Sequence, residues 1–402
     1  MSETLQDHPS SASLLSIDNL PYGPDGPPRV LGQLGSSDGP TLVCVAGLHG
    51  NEPMGVIGLE RALARLQSLE VPLNGRIVGL AGNRAALASG VRYVDHDLNR
   101  AWFVDRIELL RSSPSGLEHE DRELIELDRE LEPILTASRH GVFLLDLHTT
   151  SGPGPAFCVL EDTLKNRKFA LNFPAPMVLG FEEEVGGTLS DYLCERGVIG
   201  IGFEAGQHRE PLAAERAEAA VWIALHAAGL VADDQPEFEE AQRRLEEDST
   251  GLPTSVEVRY RHAISPSDEF RMDPGHTTFD GVSEGQRLGA DRSGPVTSPK
   301  EGLLLMPLYQ AQGNDGFFVV RRVHRFWLKL SGLVRRYRFE RFIHWLPGVR
   351  RHQQRPGAFV VDRRVARFLT LELFHLLGFK RVGPAGRIVV LTRRSHDRAD
   401  QQ

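Results

Sequence analysis

The chain has 402 residues, 41% of them hydrophobic and 25% charged, which is enough apolar material for a large core and the balance of an ordinary folded globular protein with more than one unit. No apolar run approaches the roughly 20 residues of a membrane-spanning helix, and the opening MSETLQDHPSSASLL lacks the basic start of a secretory signal, so a cytoplasmic location is expected. The net charge of −8 conceals a split: from Arg321 to Gln402 there are 20 Lys and Arg against 5 Asp and Glu, about +15, so the rest of the chain is near −23.

Residues 1–39 are rich in Pro, Gly, Ser and Asp, with one short predicted strand at Pro28 to Leu34 and a turn at SSDGP. TLVCVAGL, from Thr41 to Leu48, is a buried-type strand, and GNEPMGVIGLERALARL turns from it into an amphipathic helix with Pro53 in its first turn. His49 and Glu52 therefore fall at a strand-to-helix junction. GRIVGLAGN predicts the next strand, with Asn83 and Arg84 as turn residues opening a helix. Arg92 to Trp102 is densely polar yet holds Tyr93, Val94, Leu98 and Trp102, the pattern of a structured loop facing something charged. Arg106 to Ala137 carries Leu124, Leu127, Leu131 and Leu135 at helical spacing and predicts one charged helix outside the sheet.

VFLLDLHTTSG is a second buried-type strand and ends at His148. Asp146, two residues earlier and on the same side, either supports a site there or caps a local turn. Ala156 to Leu160 and Pro176 to Leu179 are further strands, a helix begins at Thr188, and VIGIGFEAGQH is a short strand delivering Glu204 beside Gly206. EPLAAERAEAAVWIALHAAGLV is helical, and an acidic connector follows. Thr254 to Val323 consists of short strands between Gly and Pro turns, a small β-domain by pattern. Within it EGQRLGADRSGPVTSPKEGLLLMP is similar to half of a lipoyl or biotinyl-type sandwich without the Met-Lys turn that carries the prosthetic group.

Imidazole nitrogen and carboxylate oxygen suit Zn²⁺, and a catalytic zinc takes three protein ligands and leaves one position open. In a parallel α/β sheet the strand ends on one edge share a crevice, so His148 can complete a set with His49 and Glu52. No Cys-x-x-Cys spacing is present, since Cys44, Cys158 and Cys194 are far apart; neither a disulfide framework nor a thiolate metal site is indicated.

HGNE, RYVDHDLNRAW, DLHTTSG and GIGFEAG, in that order, resemble the succinylglutamate desuccinylase and aspartoacylase group of the zinc carboxypeptidase-like (M14-type) superfamily, over roughly residues 40–230. The resemblance implies that Asp97 fixes the ring of a zinc-bound histidine, His49 foremost, and that Asn99, Arg100 and Arg92 hold a carboxylate of the substrate. A guanidinium fork suits a carboxylate because it donates two parallel hydrogen bonds. Some relatives place another arginine shortly before the catalytic glutamate, a position that Arg196 matches poorly; others use a tyrosine of the second domain, here Tyr309. Glu204 is the general base of this reading, and His208 is a rim or turn residue as readily as a catalytic one.

The expected fold is α/β: a zinc carboxypeptidase-like catalytic domain, mixed sheet flanked by helices, over residues 1–232, a small β-domain over 253–323 and a basic α/β appendage over 324–402. The expected function is a zinc-dependent amidohydrolase acting on an N-acyl amino acid or similar small acyl-amide that carries a carboxylate. One rival is a carboxypeptidase using the same zinc site in an open crevice. The other is a non-catalytic metal-binding protein working through its tail, where Phe326, Trp327, Tyr337, Phe339, Phe342 and Trp345 alternate with arginines as in contacts with anionic lipid or RNA. A basic folded surface, with pairing to the acidic body as one option, is the reading preferred over both membrane and nucleic-acid binding.

Overall fold

A computed structural model of the chain describes residues 22–23, 26–113, 115–337, 348–353, 357–362, 374–382 and 388–394. The predicted strand at Thr41 is β2 (Thr41–Ala46), following β1 (Val30–Gly35), and all six of its residues are buried. β2 lies between β3 (Arg76–Ala81) and β4 (Val142–Thr150), parallel to both, and β4 runs parallel to β7 (Ile199–Gln207). Strand alternation sends Leu42, Cys44 and Ala46 to one face and Val43 and Val45 to the other, and each face has its own apolar cluster. A sheet buried on both faces reads in sequence as a continuous apolar run, which is why β2, β3 and β4 are legible there.

Helices α1 (Pro53–Ser68) and α7 (Pro211–Ala227) cover the first face. They pack closely enough that a Cβ at Gly58 would sit 2.6 Å from the Ala214 carbonyl oxygen. The opposite face is covered by α4 (His119–Ala137) and α6 (Leu189–Glu195). The single helix expected from Arg106 to Ala137 is in fact two, α3 (Val104–Ser112) and α4. The intervening SSPSGL run breaks the pattern, with Gly116 in the left-handed region at φ +75°.

Beyond β7 the sheet continues through the short strands β5 (Phe157–Val159) and β6 (Met177–Leu179) into β8 (Ser255–Ala263), which pairs parallel with β6. Strands β14 (Asp315–Arg322), β13 (Gly302–Leu305) and β10 (Gly281–Val282) then complete an eleven-stranded mixed sheet. The residues predicted as a small β-domain thus extend the catalytic sheet, and three of their strands, β9 (Arg271–Met272), β11 (Arg287–Asp291) and β12 (Gly294–Thr297), form a separate sheet over it. The sandwich-like stretch is divided between the two sheets.

The described parts of the basic tail are folded onto the acidic body. Helix α9 (Arg325–Arg336) and the four-stranded sheet β15 (Val349–Arg351), β16 (Phe359–Asp362), β18 (Ile388–Arg393) and β17 (Phe379–Val382) enclose an apolar cluster around Phe374 and Phe379. Arg335 bonds Asp162 at 2.8 Å, Arg394 spans Glu182 and Glu183 at 2.7 and 2.8 Å, and Lys380 reaches Glu161 at 2.9 Å. His375 sits between Glu183 and Glu257, 3.1 Å from each. Phe326, Trp327 and Tyr337 are exposed, and Phe339, Phe342 and Trp345 lie outside the described residues. No helix among the described residues is long and apolar enough to cross a membrane.

Two outcomes test the docking. Replacing the buried Arg394 with Met leaves the Glu182 and Glu183 carboxylates short of a counter-charge and is expected to cost about 3–5 kcal/mol in urea unfolding; a loss below about 1 kcal/mol would show that the network does not hold the tail in place. Burial alone would lower the His375 imidazole, but Glu183 and Glu257 raise it to about 9. Its contribution is therefore complete below the unfolded value of about 6.5 and is lost as pH rises through about 9. Urea midpoints should fall across that window in the wild type, and less so in His375→Gln.

Candidate functional site

The site begins at the end of β2. Gly47 turns the chain at φ +73°, and Gly50 lies so close to α2 (Arg84–Ser89) that a Cβ there would stand 1.9 Å from the Ala86 carbonyl carbon. Only a glycine lets the turn press so near that helix and direct His49 and Glu52 to one side. On β4, His148 is registered against Glu204 of β7, so two adjacent parallel strands present these side chains together.

These residues converge. His49 Nδ1 lies 2.8 Å from Glu52 Oε1, and His148 Nδ1 lies 3.1 Å from Glu52 Oε2. All three are buried, the two rings are 5.2 Å apart between centroids, and one donor atom from each falls within 4.8 Å of the others. Two imidazole nitrogens and a carboxylate oxygen at this spacing can hold a metal ion. The far nitrogens are held as well: His49 Nε2 is 3.1 Å from Asp97 Oδ1, and His148 Nε2 is 3.2 Å from Asp146 Oδ2. Each ring thus has a carboxylate behind it, which fixes the tautomer and turns Nδ1 toward Glu52. Of the two sequence readings of Asp146, the structure shows it against His148.

Charge follows the geometry. Burial would raise the Glu52 and Asp97 carboxyls, but His49 overrides it at both, joined by His148 at Glu52 and by Arg92 at Asp97, and both lie well below the usual carboxylate range. Burial likewise would lower His148, and Asp146 and Glu52 raise it. Glu204 is the exception. Burial pushes its carboxyl up to about 8, Glu52 and Asp146 add to that against His148 and Arg92, and its Oε2 is buried without a hydrogen-bond partner.

Arg92, Asn99 and Arg100 line the same cavity as the histidines and Glu204. Arg92 donates to Asp97 Oδ2 at 3.0 Å and stands 3.6 Å from Glu52. Asn99 accepts from the Leu189 amide at 2.9 Å and places its amide nitrogen 3.3 Å from His148 Nε2. Arg100 pairs with Asp315 of β14 at 3.1 Å and keeps its buried Nε without a partner. Arg196 is elsewhere, bound to Glu132 and Tyr192. Tyr309 turns away, its hydroxyl accepting from the His276 amide and donating to the Asp273 carbonyl.

The residue that roofs the site is its neighbour. Gln310 Oε1 accepts from Asn51 at 2.6 Å and lies 2.9 Å from His208 Nε2, while His208 Nδ1 meets the Thr149 hydroxyl at 2.8 Å. Neither Gln310 nor Asp315 is legible in the sequence: Gln310 is a polar loop residue without periodicity, marked only by the tyrosine beside it, and Asp315 opens β14, whose pairing with β8 leaves no local trace.

The profile of the succinylglutamate desuccinylase/aspartoacylase catalytic domain matches residues 38–227. Just under half of the chain is therefore similar to that family's catalytic domain. Among curated members, the succinylglutamate desuccinylase of Pseudomonas paraeruginosa is 33% identical over 117 residues, covering 29% of this chain and 33% of that protein. A probable aspartoacylase of Prochlorococcus marinus is 31% identical over 209 residues, covering 49% and 64%. The chain therefore spans between a third and just under two thirds of the length of these relatives. Among solved structures, a succinylglutamate desuccinylase/aspartoacylase from Rhodobacter sphaeroides aligns with a TM-score of 0.54 at 19% identity, over 73% of this chain and 88% of that one. The product-bound ectoine utilization protein EutE of Ruegeria pomeroyi aligns at 0.53 and 18%, over 72% and 87%. The fold that the family resemblance implied, a large mixed sheet flanked by helices, is the one observed, with a β-rich C-terminal region added to it.

If the group of His49, Glu52 and His148 holds a divalent metal ion, Asp97→Ala and Asp146→Ala, which remove the carboxylates behind the rings, should each weaken uptake of Zn²⁺ about 10–100-fold, read by competition with a chromogenic chelator. Unchanged affinity in both would mean that packing alone positions the imidazoles.

Proposed function

We propose that this protein is a zinc-dependent amidohydrolase that removes the acyl group from an N-acyl amino acid or similar small acyl-amide. The observation that carries the proposal is the convergence of His49, Glu52 and His148 beside the unpartnered Glu204 Oε2. In this reading those three residues hold zinc, which when bound supplies a Lewis acid for the scissile carbonyl and a more acidic water.

The chain's own residues do the rest. Glu204 takes a proton from the attacking water and returns it to the departing amine nitrogen, work suited to a carboxylate whose proton affinity is raised toward neutral pH. Arg100, with its free Nε, grips the substrate carboxylate, and Arg92 and Asn99 on the same wall add donors while steadying Asp97 and His148. Holding the carboxylate fixes the amide relative to Glu204 and converts an encounter into a positioned reaction. The products are a carboxylate and an amine.

A carboxypeptidase reading calls for an open cleft. Gln310 bridges Asn51 and His208 beside the cavity, and residues of the 306–315 segment line it, which favours a small substrate over a peptide chain.

Glu204→Gln in the zinc-loaded protein should lower kcat on N-acetyl amino acids by about 10²–10⁴-fold with zinc content unchanged. Activity unaffected by that substitution removes Glu204 as the base, and activity on short peptides exceeding that on acyl-amino acids replaces the amidohydrolase reading with the peptidase one.

A further inference from the structure

The cavity that contains Glu204 extends past it into an arm that the catalytic reading leaves unused. Phe157 of β5 is registered against Glu204, and Val159 against Gly202. Following β5 onward from Phe157 reaches Glu161 within four residues, at most about 14 Å of chain. Glu161, Glu182 and Asp191 line this arm together with the apolar side chains of Val159, Phe181 and Phe318.

The carboxylates are not fully neutralised. Glu161 gives Oε1 to Lys380, which also faces Glu195 at 3.6 Å, and Glu182 gives Oε1 to Arg394, which also serves Glu183. Lys380 is shared between two acids and Arg394 among three, Asp162 standing 3.8 Å from it, while Glu183 also meets His375. Glu161 Oε2 and Glu182 Oε2 are buried without hydrogen-bond partners, and their side chains are only 1% and 3% exposed. Asp191 stands beside them with its carboxyl raised to about 7, burial first and Glu161 and Glu182 adding to it against Lys380, so that a cation placed there would draw its proton off. A buried carboxylate oxygen with no donor is costly and persists where a ligand satisfies it.

We infer that this arm is a subsite for a cationic group, an alkylammonium or guanidinium at the end of an apolar chain on the substrate. The apolar side chains accommodate methylenes, and the open carboxylate oxygens accept the N–H groups beyond them. A hydrated metal ion has no use for such a sleeve, and among the described residues the only cluster with metal-ligand spacing is His49, Glu52 and His148. Resting on the proposed hydrolase reading, the inference narrows its substrate class to N-acyl derivatives of basic amino acids.

Nα-acetyl-lysine and Nα-acetyl-norleucine differ by the terminal ammonium alone. The wild-type protein should favour the lysine derivative in kcat/KM by at least about tenfold, and Glu161→Gln and Asp191→Asn should each bring that ratio toward one, mainly through KM. A preference for the norleucine derivative or for Nα-acetyl-glutamate overturns the subsite while leaving the hydrolase intact. If no acyl-amino acid is hydrolysed, the hydrolase reading falls, and calorimetry on chelator-treated protein decides the subsite by itself. Tighter binding of L-lysine than of L-norleucine supports it; equal binding, or none, overturns it.

Discussion

Glu52 lies between two imidazoles, and the site is organised around that contact. Both of its oxygens face a ring nitrogen, and the Thr149 amide donates to it at 2.9 Å, so one buried carboxylate ties the end of β2 to the end of β4. A buried anion without such partners would cost several kcal/mol. The strands that converge here are parallel and sequential neighbours in the sheet, and their crevice is the position where α/β sheets place ligands. The outward nitrogens of the two histidines meet further carboxylates, which makes the ring orientation a property of a network and not of local packing alone.

The acidic body and basic tail form a second network on the same principle. Ion pairs of this kind add little net stability relative to apolar packing, because both partners lose water. They do specify where the tail sits: Arg394 and Lys380 meet Glu182 and Glu161, the carboxylates that line the inner arm of the cavity. The tail therefore shapes the electrostatics of the catalytic cavity from behind its wall. That gives the charge split in the sequence a structural meaning which neither a membrane surface nor a nucleic acid is required to supply.

The sequence disclosed the parts of this structure that obey a period or a motif. Strands β2, β4 and β7 open as apolar runs, broken in β4 by Asp146; His49 lies just beyond the end of β2, and His148 and Glu204 lie in the last few residues of β4 and β7. HGNE marks its own turn, since Gly50 tolerates no side chain against Ala86. The break between α3 and α4 is marked in the sequence by Pro114 and Gly116, but the leucine spacing from Leu124 to Leu135 outweighs it in a reading by periodicity. The continuation of the catalytic sheet through β8 and β14 was hidden, as strand pairing between segments some 80 residues apart leaves no local trace. Gln310 and Asp315 were invisible for that reason: they reach the site only because β13 and β14 join its sheet.

Charge in the cavity is unevenly divided, and the division follows from these two networks. On the side of Asp315 a single carboxylate answers two guanidiniums, Arg100 and Arg261, and leaves a positive remainder beside the catalytic residues. In the inner arm Lys380 and Arg394 are each shared between acids, and one oxygen each of Glu161 and Glu182 is left without a partner. Separated charges in a poorly solvated cavity select a molecule of complementary polarity more strongly than they attract any single ion, since reversing it places like charges together. On the proposed reading, a substrate with its carboxylate at Arg100 and its cation in the arm would satisfy both ends at once. The acidic exterior does not oppose this arrangement, because exposed charges more than about 8 Å away are screened by physiological salt while the buried ones are not.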